Sequence, residues 1–266
     1  MQWWLDLALG MGLGFVGGLF GIGGGLIAIP VLAIGFGLDQ QLAQGTAMLM
    51  ILSNVLVAIR RYAAYHRIEP REALLMGASS MGFAWSASLL ALWISAAALA
   101  KAFALFLMVL AGYLAWQLLR PGAPKPGAIL PEAIQPGASR SGAPQPGPAV
   151  SRCWLGLVGA LGGVLSGLFG VGGGVVAPPI LTRWFGKSQT QAQGLALCSV
   201  VPGAVIGLAT YALHQRVDWW LGLPLSLGGL FTVPAGVRLA HRLPERQLRL
   251  MFCGLMLLTG TTLLLR

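Results

Sequence analysis

Charge is what this chain has least of. Only 9% of its 266 residues are Asp, Glu, Lys or Arg, against about 25% in an average soluble domain. A soluble surface of this size cannot be covered with so few charges, so a soluble globular class is excluded. Cysteine is scarce too: Cys153, Cys198 and Cys253 stand alone, with no CxxC pair. That excludes a disulfide framework and a thiolate metal site. No His/Cys/Glu group has metal-ligand spacing, and no Ser or Cys has a base beside it in the sequence. Neither an enzyme nor a resident cofactor is therefore expected. The start, Met1-Gln2-Trp3-Trp4-Leu5-Asp6, lacks a basic segment and a small-residue cleavage site, so no removable signal peptide is expected.

Acidic residues are the scarcest charges, 7 against 17 Lys and Arg, for a net charge of +10. In a soluble protein that balance points to nucleic acid. Here the basic residues lie in loops between apolar runs, which is the signature of cytoplasmic loops of a membrane protein. Nucleic acid is not an expected partner; the lipid bilayer is.

What the chain does have is apolar sequence, 56% of its residues. Apolar segments fall at about 3–20, 26–36, 43–60, 73–93, 98–119, 154–169, 175–185, 192–213, 219–240 and 246–265. Several approach the ~20 residues that cross a hydrocarbon core. In lipid the backbone must satisfy its own hydrogen bonds, so these segments are predicted to be helices. The expected class is an all-α polytopic membrane protein. Between 121 and 150 the texture changes, with eight of the sixteen prolines and five glycines. This stretch reads as a flexible solvated linker.

The linker separates two copies of one sequence. A shift of 149 residues aligns 10–69 with 159–218 without a gap, and 22 of 60 positions are identical. Gly10, Gly14, Gly18 and Gly21 recur as Gly159, Gly163, Gly167 and Gly170; Gly23-Gly24-Gly25 recurs as Gly172-Gly173-Gly174; Pro30 recurs as Pro179. The expected organisation is repeat 1 over 1–120, linker over 121–150 and repeat 2 over 151–266. Duplicated halves are a recurrent feature of transporters, with the binding site at their interface.

Loop charge decides between two topologies. With eight plain spans, Lys and Arg divide 10 to 7 between the two sides. If the units 3–36 and 154–185 instead enter the membrane and return, six spans remain and the second copy is inverted. One side then holds 14 basic residues, and the other keeps only Lys101, Arg216 and Arg266. Omitting the four in or beside the linker still leaves 10 to 3. The positive-inside rule favours this arrangement. It makes the linker cytoplasmic and both termini periplasmic. Each inverted repeat is then a Gly-broken re-entrant helix pair plus three spanning helices.

The chemistry centres on Gly18-Leu19-Phe20-Gly21-Ile22-Gly23-Gly24-Gly25 and its copy at 167–174. Three consecutive glycines unwind a helix, and unwound backbone inside a membrane is tolerated only where protein buries it or a wet cavity lies beside it. Past each break a half-helix begins, and its free N–H groups and positive dipole end suit an anion. Candidate binding residues are Gly23, Gly24, Gly25, Gly172, Gly173 and Gly174. The glycines upstream form small-xxx-small faces and read as helix packing. Gln44 and Gln193 each open a spanning helix and offer amide donors to an oxyanion, or simply sit at the interface. Thr46 and Asn54 follow on one helix, Cys198 and Ser199 on the other; these join the candidates, although such side chains more often bond a neighbouring helix. No Asp, Glu, Lys or Arg falls at the middle of a span, so no carboxylate proton relay is visible.

At these residues the chain resembles the TauE/SafE family of sulfite exporters. The resemblance rests on GLFGxGGG at 18–25 and 167–174, on Pro30 and Pro179, and on Gln44-Gly45 and Gln193-Gly194. It implies a permease that moves sulfite or a small organosulfur anion across the bacterial inner membrane, and the duplicated halves imply alternating access. The partners implied are that sulfur-containing anion and the bilayer, with a homo-oligomer left open. A passive anion channel and a non-transporting scaffold docked through the linker are the alternative expectations.

Overall fold

A computed structural model describes residues 3–20, 23–65, 69–119, 152–171, 174, 176–185, 189–240 and 245–265. These residues form ten helices and no strand: α1 (Trp3–Phe20), α2 (Gly25–Gly35), α3 (Gln40–Tyr65), α4 (Pro70–Trp93), α5 (Ala96–Leu119), α6 (Arg152–Phe169), α7 (Ala177–Phe185), α8 (Gln189–Leu213), α9 (Trp219–Ala240) and α10 (Glu245–Leu264). Each apolar segment read from the sequence coincides with one helix. The 121–150 segment, Gly172 and Gly173 lie outside the described residues. Helix starts follow local chemistry. Pro70 occupies the first position of α4, where its missing N–H costs nothing. The carboxylates of Asp39 and Asp218 accept from Leu42 N and Leu221 N at 2.8 and 3.1 Å, capping α3 and α9.

Four helices carry stretches long and apolar enough to cross a membrane: Trp3–Phe20, Pro70–Trp93, Ala96–Tyr113 and Leu195–Leu213. Their outer faces are apolar as well. Leu74, Leu105 and Leu213 are exposed, and Trp93 is 87% exposed. Water would oppose such a surface, whereas lipid accepts it.

The glycine faces pair the halves in a reciprocal way. α1 packs mainly on α9, and α6 mainly on α4. A Cβ added at Gly10, Gly14 or Gly18 would strike the backbone of Leu225, Gly229 or Val233. At Gly159, Gly163 or Gly167 it would strike Met76, Ser80 or Ala84. Both members of every contact move by the same 149 residues. Such an exchange, in which i meets j′ while i′ meets j, is the mark of a two-fold relation.

Two further pairs run head to tail. α3 lies against α8, with Gln44 at Tyr211 and Met48 at Gly207. α5 lies against α10, with Ala111 at Cys253 and Ala104 at Gly260. In both pairs the residue numbers climb in opposite directions, so each helix is antiparallel to its own counterpart. The glycine-faced pairs are parallel, since Trp3 of α1 meets Trp220 of α9 with ring centroids 5.9 Å apart.

One end of the molecule gathers the starts of α1, α3, α5 and α9 with the ends of α2, α4 and α8. Gln41 Nε2 donates to Ala91 O and Ile94 O at 3.0 and 2.8 Å, satisfying carbonyls the end of α4 leaves open. Arg216 pairs with Asp39 at 2.8 Å. In the second half, Trp154 near the start of α6 meets Trp184 near the end of α7, with centroids 5.7 Å apart. α7 therefore ends near where α6 began. α6 stops about seven residues, or ~10 Å, before the end of the neighbouring α4. Gly170, at the end of α6, thus lies inside the helical bundle.

Candidate functional site

The first break is built by glycine backbone. Gly23 and Gly24 have φ of 72° and 88°, a left-handed conformation that costs other residues about 1–2 kcal/mol. Gly24 is the N-cap of α2, and its carbonyl accepts from Ile27 N at 3.1 Å and Ala28 N at 2.9 Å. The helix itself supplies no carbonyl to the N–H groups of Gly25 and Leu26. Gly170, at the second break, has φ of 68°. The two breaks touch: a Cβ on Gly25 would lie 3.1 Å from Gly170 O, and one on Gly170 would lie 3.4 Å from Gln44 Cβ.

Gln44 is 0% exposed. Its Oε1 lies 3.0 Å from the Tyr211 hydroxyl, which is also 3.1 Å from Gly167 O. The hydroxyl donates its single proton, which these two acceptors share. Gln44 Nε2 is buried and has no partner. The sequence placed Gln44 at a helix opening, but α3 begins at Gln40. The Asp39 cap starts the helix earlier than the apolar pattern does, so Gln44 sits one turn inside.

Asn54 is buried. Its Nδ2 donates to Gly23 O at 3.1 Å, whereas its Oδ1 has no partner. It ties α3 to the unwound segment directly. Thr46 Oγ1 accepts from Asp218 N at 3.0 Å, so its oxygen joins α3 to the cap of α9. Ser199 Oγ donates to Ala196 O at 2.8 Å within its own helix, and Ser80 Oγ donates to Ser199 O at 2.8 Å. Cys198 is half-buried on α8. Gly174 approaches α8 as Gly25 approaches α3: the added Cβ would be nearest to Val200, and nearest to Ile51 at Gly25, residues 149 apart. Gln193 lies in α8, and its side chain is outside the described residues.

The structure therefore brings together Gly25, Gln44 and Gly170, and holds Asn54 on Gly23. It directs Thr46 and Ser199 toward helix packing. Tyr211 was missed by the residue reading, although a signal existed. Tyr62 and Tyr211, Gln44 and Gln193, and Gly18 and Gly167 are all identical pairs at the 149-residue offset. The segments 7–38, 40–59, 153–182 and 188–213 contain no Asp, Glu, Lys, Arg or His. The site's chemistry is that of neutral donors and helix ends.

A family model for the sulfite exporters TauE/SafE matches residues 7–263. The chain belongs to the TauE/SafE family. It is 26% identical to a probable membrane transporter protein of Methanocaldococcus jannaschii over 98% of this chain and 95% of that one. A probable membrane transporter protein of Xylella fastidiosa is 27% identical, over 90% of this chain and 85% of its own. One from Bacillus subtilis is 21% identical across 99% and 98%. No solved structure matches the chain. This TauE/SafE protein is accordingly a multi-pass membrane protein of a transporter family, as the composition and motifs anticipate.

Proposed function

We propose that this TauE/SafE protein is a secondary transporter for sulfite or a small organic sulfonate in the bacterial inner membrane. The anion binds where the two glycine breaks meet. One observation carries the reading: the Gln44 amide is fully buried beside Gly170, with its N–H donors unpaired. An unsatisfied buried donor costs about 1–3 kcal/mol, and an oxyanion removes that cost. The free N–H groups at the start of α2 add donors and a favourable dipole.

The antiparallel pairing of α3 with α8 and of α5 with α10 supports two inverted repeats. A two-fold axis relating antiparallel spans lies across them, in the plane of the membrane. Rocking one repeat against the other about the meeting point of the breaks then exposes the anion to each side in turn. The contact between Trp154 and Trp184 supports a broken pair that re-enters and returns. With the face of Lys101 and Arg216 outside, the arginine-rich loops are cytoplasmic and both termini periplasmic.

The test is flux in reconstituted liposomes. Labelled sulfite and methanesulfonate are expected to enter with saturable kinetics and to accumulate under an imposed pH or anion gradient. Ohmic, non-saturating current would instead identify a passive channel. No flux of any sulfur oxyanion would remove the transport reading.

A further inference from the structure

A second polar feature lies one helical turn from the site, at the end of the molecule where α3 begins. A cavity of about 430 Å³ opens there between the end of α2, the starts of α3 and α5, and the end of α10. Its wall includes Asp39, Gln40, Ala97, Ala100 and Lys101. Gln40 is 3% exposed, and neither its Nε2 nor its Oε1 has a partner. Two unsatisfied atoms on one buried amide require an explanation, since a polar atom buried without a partner is destabilising.

The charges at this mouth do not cancel. Asp39 is already committed, with one oxygen on Leu42 N and the other paired to Arg216 at 2.8 Å. Lys101 is exposed and makes no ion pair among the described residues. The cavity wall therefore carries one uncompensated positive charge next to an unpaired amide. Gln40 and Gln44 stand four residues apart on α3, so they share a face and are separated by one turn. A buried amide at the cavity leads to a buried amide at the break.

We propose that this cavity is a capture site for a small monoanion bearing an oxyanion group, held by Lys101 and Gln40 before it passes to Gln44. The oxyanion chemistry fits a sulfonate in solution and equally the phosphate of a lipid headgroup. Gln40 shares its face of α3 with Gln44, one turn further along at the break, which favours the solute. The duplication sharpens the assignment. At the 149-residue offset Gln40 and Gln44 recur as Gln189 and Gln193, whereas Lys101 is replaced by Leu250. The amide pair is repeated, whereas an apolar residue takes the position of Lys101.

Two measurements test this. In reconstituted protein whose native cysteines are replaced by serine, Ala97→Cys places a thiol on the cavity wall. Millimolar methanesulfonate is expected to slow its modification by an impermeant thiol reagent, and Lys101→Gln to abolish that protection. Absence of protection in the Lys101 protein overturns the proposal. So does protection that tracks the phosphatidylglycerol content of the vesicles and ignores methanesulfonate, which identifies a headgroup site. The second measurement is flux, and it rests on the transport reading above. Lys101→Gln is expected to raise KM for methanesulfonate about three- to five-fold, the worth of an exposed charge contact, with far less effect on the maximal rate and with recovery in Lys101→Arg. An unchanged KM overturns the capture role. Protection of the thiol without any flux leaves the capture site standing and removes the transporter.

Discussion

In the proposed site, stability and function pull in opposite directions at Gln44. Its amide is fully buried and half-satisfied, bonded through Oε1 to Tyr211 and unpaired at Nε2. Tyr211 keeps Gly167 O as an acceptor, so an apolar residue of similar size at position 44 strands no donor and removes an unsatisfied amide. Gln44→Leu is therefore expected to leave the unfolding temperature unchanged or higher, while flux of methanesulfonate falls at least about ten-fold. A matched loss of both would make Gln44 a structural residue only. Tyr211→Phe is the complementary case. It deletes a hydroxyl that serves two acceptors, and about 1 kcal/mol of stability should go with it. Thermal unfolding in detergent measures both. Gln44 was legible in the sequence as a repeated Gln-Gly pair, whereas its partner was not read. The tyrosine lies 167 residues away, and only the antiparallel packing of α3 on α8 brings them together.

At the scale of elements, the glycine faces make the exchange between halves work. α1 meets α9, and α6 meets α4, at a spacing that leaves no room for a Cβ at Gly14 or Gly163. Gly12, on the same helix as Gly14, has nothing within 4 Å of an added Cβ. Gly14→Leu or Gly163→Leu is expected to cost at least the ~1–3 kcal/mol of an overpacked contact, and Gly12→Leu to cost almost nothing. Equal losses at all three positions would overturn the packing account, since helix propensity by itself favours leucine over glycine. The small-xxx-small spacing announced close packing, but the partner of each face depended on which surfaces the fold juxtaposes. A compensating swap also appears beyond the glycines. Asn54 on α3 faces Gly229 on α9, while the equivalent place pairs Gly203 on α8 with Ser80 on α4. A large polar group on one helix is matched by glycine on its neighbour, and the roles reverse in the other half.

For the whole molecule, the proposed inverted arrangement rests on the loop charges and on the antiparallel counterparts. A cysteine appended after Arg266 is expected to react with an impermeant maleimide added outside intact cells. Labelling only after the membrane is opened would place the C-terminus in the cytoplasm and reverse the proposed orientation. Removal of 121–150 should leave methanesulfonate flux within about two-fold of the parent. The reciprocal contacts between helices hold the two halves together without that segment. A large loss of flux on that deletion would assign the linker a part in transport.

By itself the sequence determined the helices, the duplication and the family. Low charge, long apolar runs and a constant offset act locally or in register, and each leaves its trace without reference to the fold. It also located both glycine breaks, because three adjacent glycines disfavour helix wherever they stand. Tertiary structure alone decided what the breaks touch. Gly25 against Gly170, Tyr211 on Gln44 and the unpaired amide of Gln40 beside Lys101 all join segments distant in the chain. Their proximity follows from how the helices cross, which no local pattern encodes.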